Sequence, residues 1–568
     1  MAAGGNTRRH RKNYTVAVMN NLNFALLIAL GFLSFALPPP QAAHSQQVWE
    51  EWQARNGSRG YLDDNAEVVQ VDTAENVFIA GTSAMPRNAC DYAIIKYNPH
   101  GRLLWYRTYN GPGNYYDNVS DMALDHAGNA IVTGFSYGSG SAWDYATVKY
   151  SASGDQLWVS RYDGPDHWQD YARAIAVDLN NNAYVAGSIA SGGHLQWCTI
   201  KYSPNGAQQW IATYNGSAGL GAHANDIAAD NFGNVYVTGH QQMPFGPAPW
   251  DWATIKYNCE GVVQWTASYN GPGDEYDEGI AVAVGYDGSV FVTGRADCGE
   301  PLEDYSTIKY SQDGDQLWVA AYGAPGYSED YPVDIAVSPA GNVFVTGYSG
   351  VFPNYDYVTI KYSSAGQQLW MDVYNGPGNS YDEAYDLVLD KFDNCYVTGI
   401  TTNATGNGDY ATIKYNAYGV RQWIALYDGP ARSGDGAKSI ALDGEYHVYV
   451  TGSSAVSHTG VTDYVTIKYS QSGAVESPQS SAETVCLSAT PNPFNPSTVL
   501  SFEMRDASFV KLSVLDISGR LAATLVDGWR EAGVHEEIFD GTGLATGIYI
   551  YRVEAGTQSE TGKLILLK

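Results

Sequence analysis

A block of the form D-Y-x-T-I-K-Y recurs along the chain and limits the possible folds more than any other feature. With close variants it occurs eight times, at intervals of 52 to 55 residues. A second marker, the glycine that ends V-T-G or a variant, also occurs eight times. A unit of this length cannot bury its own apolar face, so the units must stack. The block lysines are Lys96, Lys149, Lys201, Lys256, Lys309, Lys361, Lys414 and Lys468.

Each unit contains four short runs of strand-forming residues. In the second unit they cover residues 122–125, 130–134, 145–150 and 157–162, with turn-forming residues between them. Four antiparallel strands in such a repeat are typical of a β-propeller blade. Seven units carry a tryptophan in the fourth strand, namely Trp105, Trp158, Trp210, Trp265, Trp318, Trp370 and Trp423.

The eighth unit ends at Tyr469 without a fourth strand. Residues 46–49 (QQVW) resemble residues 367–370 (QQLW), so Trp49 is the predicted counterpart of Trp370. We predict that the N-terminal strand completes the last blade, because closure removes exposed strand edges. The predicted fold is therefore all-β, with an eight-bladed propeller of four-stranded blades over residues 46–469. A seven-bladed ring with an extra unit is the alternative.

The segments outside the repeat predict three further parts. Basic residues before an apolar stretch over residues 24–37 predict a secretory signal peptide in residues 1–45, with an uncleaved anchor as the alternative. We expect no transmembrane segment in the mature chain. Residues 470–484 are rich in Ser, Gln, Glu and Pro, which favours a linker. The strand-like runs 499–504, 508–515, 548–553 and 563–567 predict a small immunoglobulin-like β-sandwich in residues 485–568.

The charge balance excludes one class of partner. Lys+Arg 31 against Asp+Glu 60 give a formal net charge of −29, whereas nucleic-acid binding needs a basic face. We therefore expect no nucleic-acid partner, and we expect a monomer.

The six cysteines show no paired spacing. Cys198 and Cys395 stand where other units carry aliphatic residues, so we interpret them as buried apolar residues; the pairing of the others stays open.

The repeat resembles the bacterial β-propeller repeat family through residues 233–239 (GNVYVTG) and 340–347 (AGNVFVTG). The resemblance implies a scaffold found in secreted and surface proteins and assigns no activity to it.

The C-terminal segment is similar to the sorting domain of proteins exported by type IX secretion. The similarity includes residues 515–520 (LDISGR), 543–549 (GLATGIY) and a proline-rich motif. It implies that the type IX machinery is a partner and that the protein is secreted or held on the surface of a Gram-negative-type bacterium. The motif comprises Pro491, Asn492, Pro493, Phe494, Asn495 and Pro496.

An aspartate precedes the first strand in seven of the eight units. A ring of carboxylates at the channel mouth suits calcium, which prefers oxygen ligands. We favour a structural role, in which each aspartate caps the preceding loop or pairs with the block lysine, and we expect no cofactor. These residues are Asp64, Asp117, Asp170, Asp277, Asp330, Asp382 and Asp435, with Ala222 in the fourth unit.

Histidines and non-repeat tryptophans concentrate in the loops of units two to four, on one face of the predicted ring. Variable loops on a rigid scaffold commonly carry binding groups, and exposed aromatic rings with polar neighbours suit sugars or peptides. We predict a ligand site on this face. No two of the histidines have metal-ligand spacing, so we predict no metal there. The residues are Trp143, His167, Trp168, His194, His223, His240 and Trp250.

These observations favour a secreted or cell-surface binding or scaffold protein with a glycan or protein ligand. No loop cluster contains a nucleophile with its base or a pair of carboxylates, so no catalytic residue is assigned. The alternative is a secreted hydrolase or lyase acting on polysaccharide, with its site on the loop face of units two to four. A pocket with one of these histidines within hydrogen-bond reach of a carboxylate would favour that alternative.

Overall fold

The computed structural model describes residues 47–57, 63–85, 89–244, 250–273, 276–297, 303–324, 328–457, 461–471, 486–490, 494–504, 508–516, 520–530, 533–555 and 558–567. The regular elements in these ranges are β-strands. Among the same residues no helix has the length and hydrophobicity needed to cross a membrane. The predicted signal peptide and most of the predicted linker lie outside the described ranges.

Eight four-stranded antiparallel sheets follow one another over residues 47–471, and we number them one to eight. The first strand, β1 (Val48–Asn56), belongs to sheet eight. Sheet one contains β2 (Asp64–Val71), β3 (Val77–Met85), β4 (Ala89–Tyr97) and β5 (Leu103–Tyr109). Sheet two contains β6 (Asp117–Leu124), β7 (Ala130–Tyr137), β8 (Trp143–Tyr150) and β9 (Gln156–Tyr162). Sheet three contains β10 (Tyr171–Val177), β11 (Ala183–Ser191), β12 (His194–Tyr202) and β13 (Gln208–Tyr214).

The remaining sheets repeat this order. Sheet four contains β14 (Ala222–Ala229), β15 (Val235–Gln242), β16 (Trp250–Tyr257) and β17 (Val263–Tyr269). Sheet five contains β18 (Glu278–Val284), β19 (Val290–Asp297), β20 (Glu303–Tyr310) and β21 (Gln316–Tyr322). Sheet six contains β22 (Glu329–Val337), β23 (Val343–Val351), β24 (Asn354–Tyr362) and β25 (Gln368–Tyr374). Sheet seven contains β26 (Glu383–Leu389), β27 (Cys395–Thr402), β28 (Gly408–Tyr415) and β29 (Arg421–Tyr427). Sheet eight contains β30 (Asp435–Leu442), β31 (Val448–Ala455), β32 (Thr462–Gln471) and β1.

Neighbouring sheets share apolar clusters, which are the core of the molecule. Phe78 and Tyr92 of sheet one pack with Met122 of sheet two. Tyr449 of sheet eight packs with Val69 of sheet one. Equivalent clusters join the other neighbouring pairs. Because the last sheet packs against the first, the eight sheets form a closed ring in which each sheet buries apolar residues against both of its neighbours.

The fourth-strand tryptophan fastens each sheet to the next one. Trp105 donates its Nε1–H to the carbonyl oxygen of Ala152 at 3.1 Å and lies against Gly154. Gly154 has a φ of +86°, and a Cβ there would stand 2.8 Å from the Trp105 ring. Glycine is therefore needed both for the backbone conformation and for the close contact. The same contact recurs at Gly101, Gly206, Gly261, Gly314, Gly366 and Gly419.

Half-buried aspartates on the innermost strands also connect neighbouring sheets. Asp226 of sheet four accepts the N–H of Ile227 at Oδ1 and the N–H of Val282 in sheet five at Oδ2, both at 2.7 Å. Asp121, Asp334 and Asp386 accept N–H groups of the following sheet in the same way. Each of these carboxylates satisfies a backbone donor at a bulge in the innermost strand, where the sheet ladder is interrupted.

β1 completes sheet eight by antiparallel pairing with β32, in a different register from the predicted one. Trp52, and not Trp49, pairs with the block lysine Lys468 and docks on Gly101 of sheet one. Trp49 is 49% exposed. The sequence match of Trp49 with Trp370 was therefore wrong by three residues, because docking on the next sheet requires a tryptophan opposite the block lysine.

Two further features concern the boundary and the cysteines. β32 extends to Gln471, so the first two residues of the predicted linker pair with β1. Cys198 and Cys395 are free thiols in the apolar clusters, and both are fully buried.

The C-terminal segment forms two sheets that share one core. The first contains β33 (Cys486–Thr490), β34 (Ser497–Met504) and β37 (Gly533–Asp540). The second contains β36 (Leu521–Arg530), β35 (Ser508–Asp516), β38 (Gly547–Ala555) and β39 (Gln558–Leu566). Phe502 and Phe539 of the first sheet pack with Leu512 and Val553 of the second. The segment is therefore a β-sandwich.

Candidate functional site

The repeated aspartates contact the loops that precede the first strands. Asp117 accepts the N–H of Gly111 at Oδ2 (2.7 Å) and the N–H of Tyr137 at Oδ1 (3.1 Å). The block lysine Lys149 instead pairs with Asp125 of the first turn, at 2.7 Å. Backbone N–H groups also donate to Asp64, Asp170, Asp277, Asp330, Asp382 and Asp435.

Sheet four lacks this aspartate and replaces its function with another side chain. Ala222 stands at the position, and Gln241 of β15 accepts the loop N–H of Ser217 at 2.8 Å. The repeat is therefore broken directly before His223 on the innermost strand β14.

His223, His240 and Trp250 form one aromatic cluster in sheet four. The two imidazoles face each other across β14 and β15 and stack with ring centroids 4.8 Å apart. The Trp250 ring lies 5.4 Å from His223 and 5.0 Å from His240. Tyr276 lies 5.7 Å from His240 on the side of sheet five. These three predicted residues are therefore in mutual contact.

Glu278, at the start of β18, connects this cluster to sheet five. Its Oε1 lies 3.2 Å from Nδ1 of His240 and accepts a hydrogen bond from Nδ2 of Asn225 at 2.8 Å. Its Oε2 accepts hydrogen bonds from Nε and Nη2 of Arg295 at 3.0 and 2.9 Å. Both carboxylate oxygens are thus used, and Arg295 donates two charge-assisted hydrogen bonds to one of them.

A cavity of about 440 Å³ lies beside Glu278. Its walls come from the innermost strands of sheets three to six and from β19. This volume is within the range of small-molecule sites, about 300–1,000 Å³. The lining residues are Arg173, Asn225, Glu278, Ile280, Arg295 and Tyr331.

The ionisation of the site follows from these contacts. Burial raises the pKa of Glu278, but the contacts with His240, Arg295 and Asn225 outweigh it and lower the pKa to about 2. Burial lowers the pKa of His223 to about 4, helped by the charges of His240 and Arg173. At neutral pH Glu278 is therefore ionised and His223 is neutral.

The other four predicted residues lie outside this cluster. Trp143 packs with Phe135 and Tyr171 at the junction of sheets two and three. His167 is exposed, and a hydrogen bond to Asp163 at 2.7 Å raises its pKa. Trp168 is 65% exposed, and His194 is exposed at the start of β12.

Two groups of carboxylates in the described residues offer oxygen ligands within 4.8 Å of one another. In the first group Arg161 donates to Asp144 at 2.7 Å and already supplies a positive charge. In the second, Asn403 donates to Asp409 at 2.8 Å. Calcium binding at the channel mouth stays a prediction. The groups are Asp144, Asp163 and Asp170, and Asp409, Asp428 and Asp435.

Sequence reasoning missed Glu278, Arg295, Arg173, Asn225 and Tyr331, which form most of the cavity. They lie on strands, Arg173 and Asn225 at bulges, whereas the predicted site was placed on loops. A signal was available, because the position after the repeated aspartate varies between units while its neighbours repeat. Its occupants are Asn65, Asn118, Tyr171, His223, Glu278, Tyr331, Glu383 and Gly436.

In the sorting motif, Phe494 is part of the sandwich core. It is 2% exposed, and its N–H donates to the carbonyl oxygen of Ile565 at 2.9 Å. The carbonyl oxygen of Pro496 accepts the N–H of Gly541 at 2.8 Å. The motif residues 494–496 thus bind to the last strand and to the β37 end, while residues 491–493 lie outside the described ranges.

Comparison with protein families identifies the two parts of the chain. A β-propeller repeat model matches residues 166–193 and 317–353, in sheet three and across sheets five and six. The ring of sheets is therefore a propeller built from this repeat. A secretion system C-terminal sorting domain model matches residues 488–567, so the sandwich is a type IX sorting domain. A protein with this domain is secreted or located at the cell surface.

No curated protein matches the chain. Among solved structures, PorZ, an essential surface component of the type IX secretion system of Porphyromonas gingivalis, is 15% identical, with 88% of this chain and 68% of PorZ covered and a TM-score of 0.37. Sqt1 from Chaetomium thermophilum is 10% identical (74% and 99% covered, TM-score 0.46), and the polysaccharide lyase Uly1 is 12% identical (64% and 92%, 0.39). Likenesses at these TM-scores assign no function.

Proposed function

We propose that the protein is an eight-bladed propeller that binds a saccharide in the cavity beside Glu278. The observation that supports this is the position of the cavity, which is lined by four consecutive sheets at strand positions that vary between the units. Ile280 supplies apolar surface and Arg173 supplies hydrogen-bond donors, while Nδ2 of Asn225 already donates to Glu278 and to the carbonyl oxygen of Gly279. An apolar and aromatic wall with a few polar groups is typical of small-molecule sites.

The proposed organisation of the chain follows from the ring and the sorting domain. A signal peptide occupies residues 1–45, the propeller begins at residue 46, and a linker leads to an immunoglobulin-like sandwich over residues 485–568. The type IX secretion machinery is the partner of the sandwich, and the propeller acts as a monomeric binding module outside the cell.

The ionisation of the site favours binding over catalysis. A general acid or base works best with a pKa near the working pH. Glu278, with its pKa of about 2, stays ionised and held by Arg295, so it has no proton to donate. His223, with its pKa of about 4, is a weak base at neutral pH.

One contact favours a second candidate, a polysaccharide hydrolase or lyase. Nδ1 of His240 lies 3.2 Å from Oε1 of the Glu278 carboxylate. Such a pair positions an imidazole for proton transfer. In that case the site of the enzyme would be the same cavity.

A glycan array with the secreted protein tests the binding proposal. We expect wild type to retain particular saccharides and the Glu278→Gln and Tyr331→Ala variants to lose them. Glu67→Gln is the matched control, because Glu67 lies on the innermost strand of sheet one, away from the cavity. Equal retention by all variants would place the site elsewhere. Incubating retained polysaccharides with the protein and measuring new chain ends distinguishes the enzyme from the binding module.

A further inference from the structure

We propose that the cavity is specific for a saccharide that carries a carboxylate, and that Arg173 is the residue that binds this carboxylate. The inference rests on the proposed function and adds the ligand class. The assignment of this ligand class follows from the charges of Arg173, Glu278 and Arg295 in the cavity wall.

The first cationic group of the cavity is already neutralised. Arg295 binds Glu278 through Nε and Nη2 and donates Nη1 to the hydroxyl oxygen of Tyr331 at 3.0 Å. Its guanidinium also lies between the rings of Tyr276 and Tyr331, at 4.8 and 4.9 Å from their centroids. Arg295 is therefore fixed, and it has little capacity for a ligand anion.

The second cationic group has no anionic partner in the described part of the chain. Arg173, at the bulge of β10, is exposed, and its guanidinium lies 5.7 Å from the centroid of the Tyr171 ring. Two arginines and one glutamate leave the cavity with one excess positive charge, in a chain of net charge −29. An unpaired guanidinium presents a planar fork that fits a carboxylate.

The charge distribution also selects the kind of acidic ligand. One excess charge matches a single carboxylate, whereas the acidic surface repels a densely charged polymer. Ile280 provides apolar surface for a sugar ring, while Tyr331 also lines the cavity with its ring packed against Tyr348 and Arg295. A saccharide with an isolated hexuronate residue combines these properties.

Calorimetric titration of the full secreted protein tests this inference with methyl glucuronoside and methyl glucoside, which differ only at the carboxylate. We expect wild type to bind the acidic glycoside at least about tenfold more tightly, the loss that removal of one charge-assisted hydrogen bond produces. Arg173→Gln is expected to bind both glycosides equally, and Arg173→Lys to keep part of the preference because it keeps the charge. Arg102→Gln, at an exposed arginine in the turn between β4 and β5, is the control and is expected to behave like wild type.

The outcomes separate the two proposals. Equal binding of both glycosides by wild type would overturn carboxylate recognition and leave the saccharide site standing. Binding of neither glycoside, together with an array without hits, would overturn both. Tighter binding of inorganic phosphate than of the glucuronoside would also overturn the carboxylate assignment. Because Arg173 is exposed, its variants are expected to unfold at the same temperature as wild type. Equal unfolding temperatures would show that a loss of glycoside binding comes from the lost side chain and not from unfolding.

Discussion

At the scale of single residues, the glycines that receive the tryptophans carry two constraints at once. Gly154 needs a positive φ and an absent Cβ, whereas other glycines of the ring need only the first. Gly406, in the hairpin turn after β27, has a φ of +87° with open space around its Cβ position. Gly154 and Gly406 share the same backbone strain, but only Gly154 is in contact with a tryptophan ring. Comparing the two positions therefore separates the cost of backbone strain from the cost of the steric contact.

We predict that Gly154→Ala destabilises the protein more than Gly406→Ala. Both variants have the cost of a left-handed residue, about 1 kcal/mol. Gly154→Ala adds a clash with the Trp105 ring, which costs about 1–3 kcal/mol more because a packed contact must shift. Chemical denaturation of the two variants measures the difference, and equal losses would show that the indole moves aside freely.

Glu278 provides a second prediction at this scale. We expect Glu278→Gln to destabilise the protein at neutral pH by about 2 kcal/mol, because it leaves Arg295 partly buried without its anion. The pKa of Glu278 is lowered, so its contribution is present above the ordinary value of 4.5 and is lost as pH falls toward 2. The wild-type advantage over the variant should therefore shrink below pH 4. Glu67→Gln, whose carboxyl has its pKa raised by burial, should show no such loss at neutral pH.

At the scale of elements, β1 is the strand on which ring closure depends. It provides the fourth strand of sheet eight, and Trp52 donates its Nε1–H to the carbonyl oxygen of Pro99 in sheet one at 2.9 Å. The single strand β1 therefore both completes sheet eight and connects sheet eight to sheet one.

We predict that Trp52→Ala lowers the free energy of unfolding by about 3 kcal/mol, the low end for truncating a buried tryptophan. Trp49→Ala, three residues earlier and half exposed, should change it by less than about 0.5 kcal/mol. Thermal unfolding of both variants distinguishes the observed register of β1 from the predicted one. A larger loss from Trp49→Ala would contradict the observed register.

The sequence predicted the number and order of these strands better than their bounds. Residues 130–134 and 157–162 fall within β7 and β9, because both runs consist mainly of strand-forming residues. The first strand of the unit begins at Asp117 rather than at residue 122, since the bulge between Val119 and Asp121 breaks the alternation. The same bulge aims Arg173 and Asn225 into the cavity from their sheets, so the site was missed for the physical reason that shortened the predicted strand.

At the scale of the whole molecule, the buried aspartates of the ring set its response to pH. Burial raises the pKa of Asp226 and of Asp277 to about 7, and that of Asp121 to about 6. A raised carboxyl pKa means that the folded state binds the proton more tightly than the unfolded state. Stability therefore increases as pH falls from 7 toward 4. The lowered pKa of His223 acts in the opposite sense, since its contribution is lost as pH falls from 6.5 toward 4.

We predict that the melting temperature is higher at pH 5 than at pH 8, because the aspartates outnumber the histidine. Asp226→Asn should flatten this dependence, since each pKa unit is equivalent to about 1.4 kcal/mol. Asp313→Asn, in an exposed turn, is the control and should leave the profile unchanged. Calorimetric scans from pH 4 to 8 give the comparison, and a wild-type optimum at alkaline pH would contradict it.

Closure of the ring by its two ends has a consequence for how such a protein changes over evolutionary time. β1 and β32 lie at opposite ends of the propeller sequence, and the antiparallel ladder that closes the ring is formed by these two strands alone. A tandem duplication or a deletion of one unit among sheets two to seven would keep both β1 and β32. Ring size can thus increase or decrease by whole units through recombination among similar repeats, while the ends and the sorting domain stay as they are. The stretch between β1 and β32 is free to gain new binding residues in the same way.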